Sequence, residues 1–299
     1  MPSSATRAVL IPFLLVTLIW GSTWIIIRDQ LGPVPATWSV SYRFFIAGAA
    51  MFAWAKYDGA SLRLSRRDAV FVVGVGTLQF VINFNFVYAA ESYITSGLVS
   101  VVFALLIVPN TVFGRVFLGQ TITRRFLVGS GIAIAGVLLL FVHELRVDGN
   151  GTRAVLLGIG LTMVAVMGAS AANVLQATDR AGRIPVAVLL AWAMLTGAVL
   201  NAALAWTSSG PPVFEARLGY VAGLFYLGLV ASAFAFTLYY RIIRAIGPAR
   251  SAYSSVLVPI IAMSLSTVFE GYRWTALAAI GGVFVLAGLV VALRSRAVG

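Results

Sequence analysis

From Ala8 to Leu293 the sequence is a succession of apolar runs separated by short breaks. Each run is close to the ~20 residues that a helix needs to cross about 30 Å of hydrocarbon. Ten are read, at 8–27, 36–55, 69–90, 95–114, 125–142, 154–175, 186–206, 219–240, 247–269 and 274–293. Only 10% of the 299 residues are charged and 61% are hydrophobic, whereas a soluble domain carries about a quarter charged residues. The runs are continuously apolar and rich in Leu, Ala and Gly, without the alternation of a membrane barrel. The expected fold is an all-α polytopic membrane protein with ten transmembrane helices.

One stretch of the chain occurs twice. Pro109, Gln120, Gly129 and Gly136 form the first copy, and Pro259, Glu270, Gly281 and Gly288 the second. Proline precedes Gln or Glu by 11 positions in both (109 to 120, 259 to 270), and the glycines are 7 apart in both. Self-similarity at this scale predicts two like halves: a first repeat at 1–143 (helices 1–5), an inter-repeat loop at 144–153, and a second repeat at 154–299 (helices 6–10). Five spans is an odd number, so the second repeat enters the membrane in the opposite sense. Inverted five-helix repeats place a substrate site near the midplane, between the halves.

The net charge of +12 reports orientation, because Lys and Arg gather on the cytoplasmic side. With the N-terminus inside, the inner segments hold 15 basic residues, the outer ones hold Arg28, Arg146, Arg153, Arg217 and Arg273, and Arg43 lies within a span. Both termini are therefore expected in the cytoplasm, with no nucleic-acid partner. The first apolar run passes into further spans with no small-residue cleavage site, so no signal peptide is expected.

Polarity recurs by position in the two halves. Helices 5 and 10 carry almost nothing polar and are expected to face lipid or another subunit, their glycines permitting close helix approach. Helices 1, 3, 4, 6, 8 and 9 each present one polar or aromatic face at helical spacing. The candidate cavity residues on these faces are Trp20 and Trp24; Gln79, Asn83 and Tyr88; Ser100 and Phe103; Ser170 and Asn173; Phe236 and Tyr239; and Tyr253. Thr17, Ser96, Thr162, Gln176, Ser232 and Ser264 share those faces. Ser, Asn and Gln also act as ordinary bonds between membrane helices, so both uses stay open. Pro109 and Pro259 remove backbone donors inside spans, which makes a static kink or a bending point.

All nine acidic residues fall in loops or at span ends. A midplane carboxylate usually marks a proton or ion pathway, so its absence favours uniport. Glu91 and Glu270 come nearest, as solvated carboxylates at outer helix ends. Arg43, about two turns into helix 2, is expected to reach the interface, with pairing to a polar group between helices or contact with an anionic substrate group as the alternatives. His143 has no ligating partners at metal spacing, no cysteine is present, and no hydrolase constellation is found. Neither a cofactor nor enzyme activity is expected.

The string Ile19-Trp20-Gly21-Ser22-Thr23-Trp24, then Pro35 and Arg43, then the two proline to Gln/Glu spacings closed by glycine-rich fifth helices, resemble the EamA-type branch of the drug/metabolite transporter superfamily. Within it, the aromatic faces are most similar to YddG-type exporters of aromatic and other neutral amino acids. Gln120 departs from the family's frequent Glu, while Glu270 keeps the acid. The resemblance implies a bacterial inner-membrane carrier that exports small metabolites by alternating access, alone or as a weak homodimer in the lipid bilayer. Absence of a helix 1 glutamate and of cavity basic clusters favours a neutral or zwitterionic substrate. Two alternatives stay open: a multidrug or other metabolite exporter, possibly proton-coupled, and a non-transporting scaffold or intramembrane enzyme.

Overall fold

A computed structural model describes residues 4–147, 151–252, 254–269, 271 and 273–293. Among the described residues every regular element is helical. In chain order they are α1 (Ser4–Asp29), α2 (Ala36–Tyr57), α3 (Arg66–Glu91), α4 (Ser96–Leu118) and α5 (Arg124–Val147). Then follow α6 (Gly151–Gln176), α7 (Val186–Ser209), α8 (Leu218–Ile246), α9 (Ser254–Phe269) and α10 (Ala276–Leu293). Single turns at Asp179–Arg183 and Pro248–Ser251 join α6 to α7 and α8 to α9. Six of the helices, α1, α3, α4, α6, α7 and α8, are long and apolar enough to cross a membrane. The chain is an all-helical, multi-pass membrane protein.

The ends of these helices follow from local chemistry. Ser65 caps α3 reciprocally: its Oγ accepts from the Asp68 amide at 3.2 Å and donates to Asp68 Oδ2 at 2.6 Å, meeting an amide that has no partner in the first turn. Thr95 Oγ1 does the same for the Leu98 amide at the head of α4. Pro35 and Pro185 precede α2 and α7 with φ/ψ of −53/135 and −53/136. The separation of these two prolines is 150 positions, the same as from Pro109 to Pro259.

The same offset relates two irregular turns that the sequence did not announce. A π-helical segment spans Thr77–Asn83 in α3, and another spans Tyr226–Phe234 in α8. Adding 150 to the first range gives 227–233, inside the second. The wider turn alters which carbonyls find helical partners, and such segments often sit at functional sites. Here side chains from neighbouring helices complete them. Asn201 of α7 donates Nδ2 to the Phe80 carbonyl at 2.8 Å, and Trp20 of α1 donates Nε1 to the Ala231 carbonyl at 3.1 Å.

Packing respects the same symmetry. α5 packs on α10, α2 on α7 and α4 on α9; α1 contacts α8 and α9 as α6 contacts α3 and α4; α2 meets α8 as α7 meets α3. Exchanging each helix for the one five places on leaves this set unchanged. α5 and α10 run antiparallel along a glycine seam, Gly129 against Gly288 and Gly136 against Gly281. A Cβ on Gly136 would stand 2.6 Å from the Gly281 carbonyl oxygen and from the Val285 amide nitrogen, a distance no side chain tolerates. The seam glycines of these helices therefore bind the two halves of one chain, while Leu127, Leu138, Ile280 and Val283 face outward.

Two other sequence expectations are revised. The described residues of the polar stretch from His143 to Arg153 are helical, since α5 runs to Val147 and α6 begins at Gly151. α9 begins at Ser254 rather than at 247, because Gly247, at φ +83, and Pro248 break the chain into a separate turn.

Candidate binding cavity

Seven helices close on one cavity with an empty volume of about 680 Å³, open solvent included. α1 supplies Trp20, Thr23, Trp24 and Ile27, and α2 supplies Arg43. Gln79, Asn83, Phe84 and Val87 come from the π segment of α3 and the turn after it; Ser100, Phe103, Ala104 and Leu106 come from α4. From the second half come Ala169 and Asn173, Phe236 and Tyr239, and Ser255 and Val258.

The irregular turns aim these side chains. Gln79 and Asn83 both belong to the π segment and both open on the cavity. In α4, Pro109 lacks the N–H that would bond to Leu105 four residues earlier, and the helix tightens to a 3₁₀ turn over Ala104–Leu106, where Ala104 and Leu106 line the cavity. Pro259 stands in the same relation to Ser255, another lining residue. Pro109 and Pro259 thus each lie one turn beyond the cavity wall.

Six aromatic rings, of Trp20, Trp24, Phe84, Phe103, Phe236 and Tyr239, belong to that wall. Trp20 meets Tyr239 edge-on at 4.7 Å between centroids and Phe236 at 5.1 Å. Trp24 meets Phe103 edge-on at 5.6 Å, and Phe236 touches Phe80 and Phe84. The Trp20 N–H is engaged by Ala231, so its ring is held in place. Gln79, Asn83 and Asn173 are each at most 3% exposed. Gln79 Oε1, Asn83 Oδ1, Asn173 Oδ1, Trp24 Nε1 and Arg43 Nη1 are buried with no hydrogen-bond partner in the protein. Leaving such groups unpaired costs about 1–3 kcal/mol each, so a cluster of them around one cavity marks capacity for a polar ligand.

Nine of the twelve residues expected at a cavity line this one: Trp20, Trp24, Gln79, Asn83, Ser100, Phe103, Asn173, Phe236 and Tyr239. Ser100 donates to the Gly97 carbonyl at 2.6 Å, as an ordinary helix contact. Tyr88 and Ser170 are fully buried outside the lining. Tyr88 is turned toward Arg43 and Glu91, and Ser170 sits one position after the lining residue Ala169. Tyr253 lies outside the described residues. Among the further polar positions, Thr17 and Thr162 bond within their own helices, and Ser264 faces outward while Ser266 is buried.

Arg43 and Glu91 depart most from expectation. Arg43 does not reach the interface; it is 1% exposed and lines the cavity. Its Nε donates to Ser232 Oγ at 2.9 Å, and the Phe84 ring lies 4.4 Å from the guanidinium carbon. Glu91 is fully buried rather than solvated, and Ser96 Oγ donates to its Oε2 at 3.0 Å. Arg28 donates to the Glu91 backbone carbonyl. Sequence spacing put both residues near span ends; contact of α2 with α8 buries Arg43, and Arg28 of α1 and Ser96 of α4 meet Glu91 at the end of α3. Phe84 was missed as well; it directly follows Asn83, at the end of the π segment of α3, and its place in the wall is plain once that segment is seen.

Beyond the cavity, the end of α1 is tied to the start of α8. Gln30 Nε2 donates to the Tyr220 carbonyl at 3.1 Å, and Arg217 makes two bonds to the Asp29 carboxylate, both at 3.1 Å. Hydrogen bonds to Asp29 and Glu215 hold the Arg217 guanidinium above its usual range. At the opposite end Arg244 donates to the Ile184 carbonyl at 2.9 Å and Asn110 to the Pro248 carbonyl at 3.0 Å.

A polytopic helical protein with matched halves, enclosing an aromatic cavity with unpaired amides, has the form of a carrier for a small molecule. A model of the EamA-like transporter family matches residues 7–142 and 156–294, and the chain belongs to that family. Protein PagO of Salmonella typhimurium is 24% identical over 262 residues, 87% of this chain and 84% of that protein. A probable amino-acid metabolite efflux pump of Escherichia coli K12 is 23% identical over 93% of this chain and 92% of its own length. The uncharacterized inner membrane transporter YedA of Escherichia coli K12 is 28% identical over 92% of this chain and 88% of its own length. A solved crystal structure superposes with a TM-score of 0.72 at 22% identity over 96% of both chains, a likeness of fold.

Proposed function

We propose that this protein is a secondary transporter that exports small neutral metabolites, above all aromatic and hydrophobic amino acids, across a bacterial inner membrane by alternating access. The observation that carries the reading is the pairing, in one cavity, of aromatic walls with the unpaired carbonyl oxygens of Gln79, Asn83 and Asn173. An apolar side chain would lie among Trp20, Phe103 and Phe236, while the amides bind a charged backbone as fixed dipoles. The relative named as a probable amino-acid metabolite efflux pump supports the same substrate class. Trp20, Trp24, Gln79, Asn83, Ser100, Phe103, Asn173, Phe236 and Tyr239 form the proposed site, with Tyr88 and Ser170 behind it.

In this reading α2, α5, α9 and α10 also cross the bilayer, giving ten spans in two inverted repeats with both termini cytoplasmic. The exchange symmetry of the helix packing and the 150-position offset support the repeats. The intrachain glycine seam supports a monomeric working unit. Alternate opening would rock α1 and α8 against α3, α4 and α6, breaking the Arg28 bond to the Glu91 carbonyl at one end or the Arg244 and Asn110 bonds at the other.

Transport is proposed to be uniport. One observation favours a second reading: Glu91 is a carboxylate with no exposed surface at the end of a cavity helix, the setting in which proton coupling is found. Efflux of labelled phenylalanine from proteoliposomes, with and without an imposed proton gradient, decides between them. Saturable efflux with no gradient is expected. Efflux only with a gradient overturns uniport; preferential efflux of amphipathic drugs moves the substrate to the multidrug class; and no flux of any solute favours a scaffold.

A further inference from the structure

We propose that Arg43 is the carboxylate anchor of the cavity, so that every good substrate carries a carboxylate group and lies with it toward α2. The inference rests on the reading of the cavity as a substrate site and adds its polarity. Arg43 is 1% exposed, two turns into α2, and belongs to the cavity lining. Its orientation is fixed from two sides. Nε donates to Ser232 of α8 at 2.9 Å, and the rings of Phe84 and Phe44 lie 4.4 and 5.5 Å from the guanidinium carbon. Yet Nη1 is buried and makes no hydrogen bond of ordinary geometry, with Tyr88 and Glu91 the groups of the protein that lie near the guanidinium.

A guanidinium carries five N–H donors in a rigid fork, and taking it out of water is costly unless those donors and its charge are met. A carboxylate fits the fork in the bidentate manner that a hydroxyl or amide cannot reproduce. The opposite pole is provided by Gln79 Oε1, Asn83 Oδ1 and Asn173 Oδ1, which are acceptors without donors and suit an ammonium. One cavity thus offers a fixed cation on one helix and three free carbonyl dipoles on two others, which is the complement of a zwitterion.

A purely structural Arg43, joining α2 to α8 through Ser232, makes a different prediction: its loss would weaken all ligands alike. Two analogues of phenylalanine separate these roles, 3-phenylpropionate, which lacks the ammonium, and phenethylamine, which lacks the carboxylate. Each is tested by competition against labelled phenylalanine in proteoliposomes and by the shift it causes in the melting temperature of the detergent-purified protein. In the unmodified protein, 3-phenylpropionate is expected to bind about ten- to a hundredfold better than phenethylamine, the range of one charge-assisted bond gained. Arg43→Gln should abolish that preference, and Arg43→Lys should keep it in weaker form.

Equal binding of the two analogues to the unmodified protein, absence of a shift with either, or a preference unchanged in Arg43→Gln overturns the proposal. The first two results need no variant, so they stand even where Arg43→Gln does not fold. A melting shift with 3-phenylpropionate that Arg43→Gln loses, in a protein that moves no phenylalanine, upholds the anchor and overturns the amino-acid reading alone.

Discussion

The indole N–H of Trp20 bonds to the backbone carbonyl of Ala231, 211 positions later, at 3.1 Å. That bond ties α1 of the first half to the π segment of α8 in the second, and it fixes the ring that walls the cavity against Tyr239 and Phe236. Local distortion of the helix, contact between halves and shape of the site meet in one side chain.

Trp20→Phe keeps a ring in the wall and removes the donor. The Ala231 carbonyl then loses its side-chain partner, worth about 1 kcal/mol. The melting temperature should fall slightly and the KM for phenylalanine should rise, while Trp20→Ala should lower both stability and transport further. Equal behaviour of the two variants contradicts a wall held in place by this bond.

Asn201 does the corresponding work in the first half without lining the cavity. Its Nδ2 also meets the Gly197 carbonyl at 2.7 Å, and its Oδ1 accepts from Asn85 Nδ2. Asn201→Leu is expected to destabilise the protein by about 1–3 kcal/mol and to raise KM by displacing Gln79 and Asn83. Thermal melting and counterflow of phenylalanine check this; a full loss of stability with unchanged KM in the folded fraction would separate the π segment from binding.

On α5 the glycines are not equivalent. A Cβ on Gly129 would enter the backbone of α10 at Gly288 and Ala292, whereas one on Gly131 meets nothing within 4 Å. Gly129→Leu should cost roughly 1–3 kcal/mol or more, as overpacking does, and Gly131→Leu should be tolerated. Comparison of the two melting temperatures in detergent tests the seam directly. Similar losses at both sites would place the packing face elsewhere.

Glu91→Gln preserves shape and hydrogen bonding while removing the charge. Under uniport, phenylalanine efflux without a gradient should be unchanged, and its pH dependence should match that of the unmodified protein. Loss of gradient-driven flux with gradient-free exchange retained is the signature of a coupling carboxylate, and contradicts uniport.

Much of this was legible before any coordinates. The Pro109/Pro259 and Gln120/Glu270 spacings carry the two-half plan, because a repeat leaves like residues at the same offsets. The faces of Trp20, Asn83, Asn173 and Phe236 were readable because each lies on an otherwise apolar helix, where a polar or aromatic side chain needs a partner or a cavity. Arg43 and Glu91 were not. Their depth depends on the contact of α2 with α8 and on the side chains that α1 and α4 bring to the end of α3, and neither is written in local spacing. Tyr88 shows the same limit: it shares the apolar helix with Asn83, yet it is buried beside Arg43 and Glu91 and is not itself a lining residue.

The central claim is that the cavity between the two halves is where substrate binds. The chain has no cysteine, so a single introduced thiol is a unique probe. Ala104→Cys puts it in the cavity wall on α4, and Val116→Cys, on the same helix at a position 67% exposed, lies outside it. The measurement is the rate of alkylation at each thiol with and without saturating phenylalanine. Slowing at position 104 and none at 116 is the predicted result; equal rates at 104 with and without phenylalanine would contradict the account.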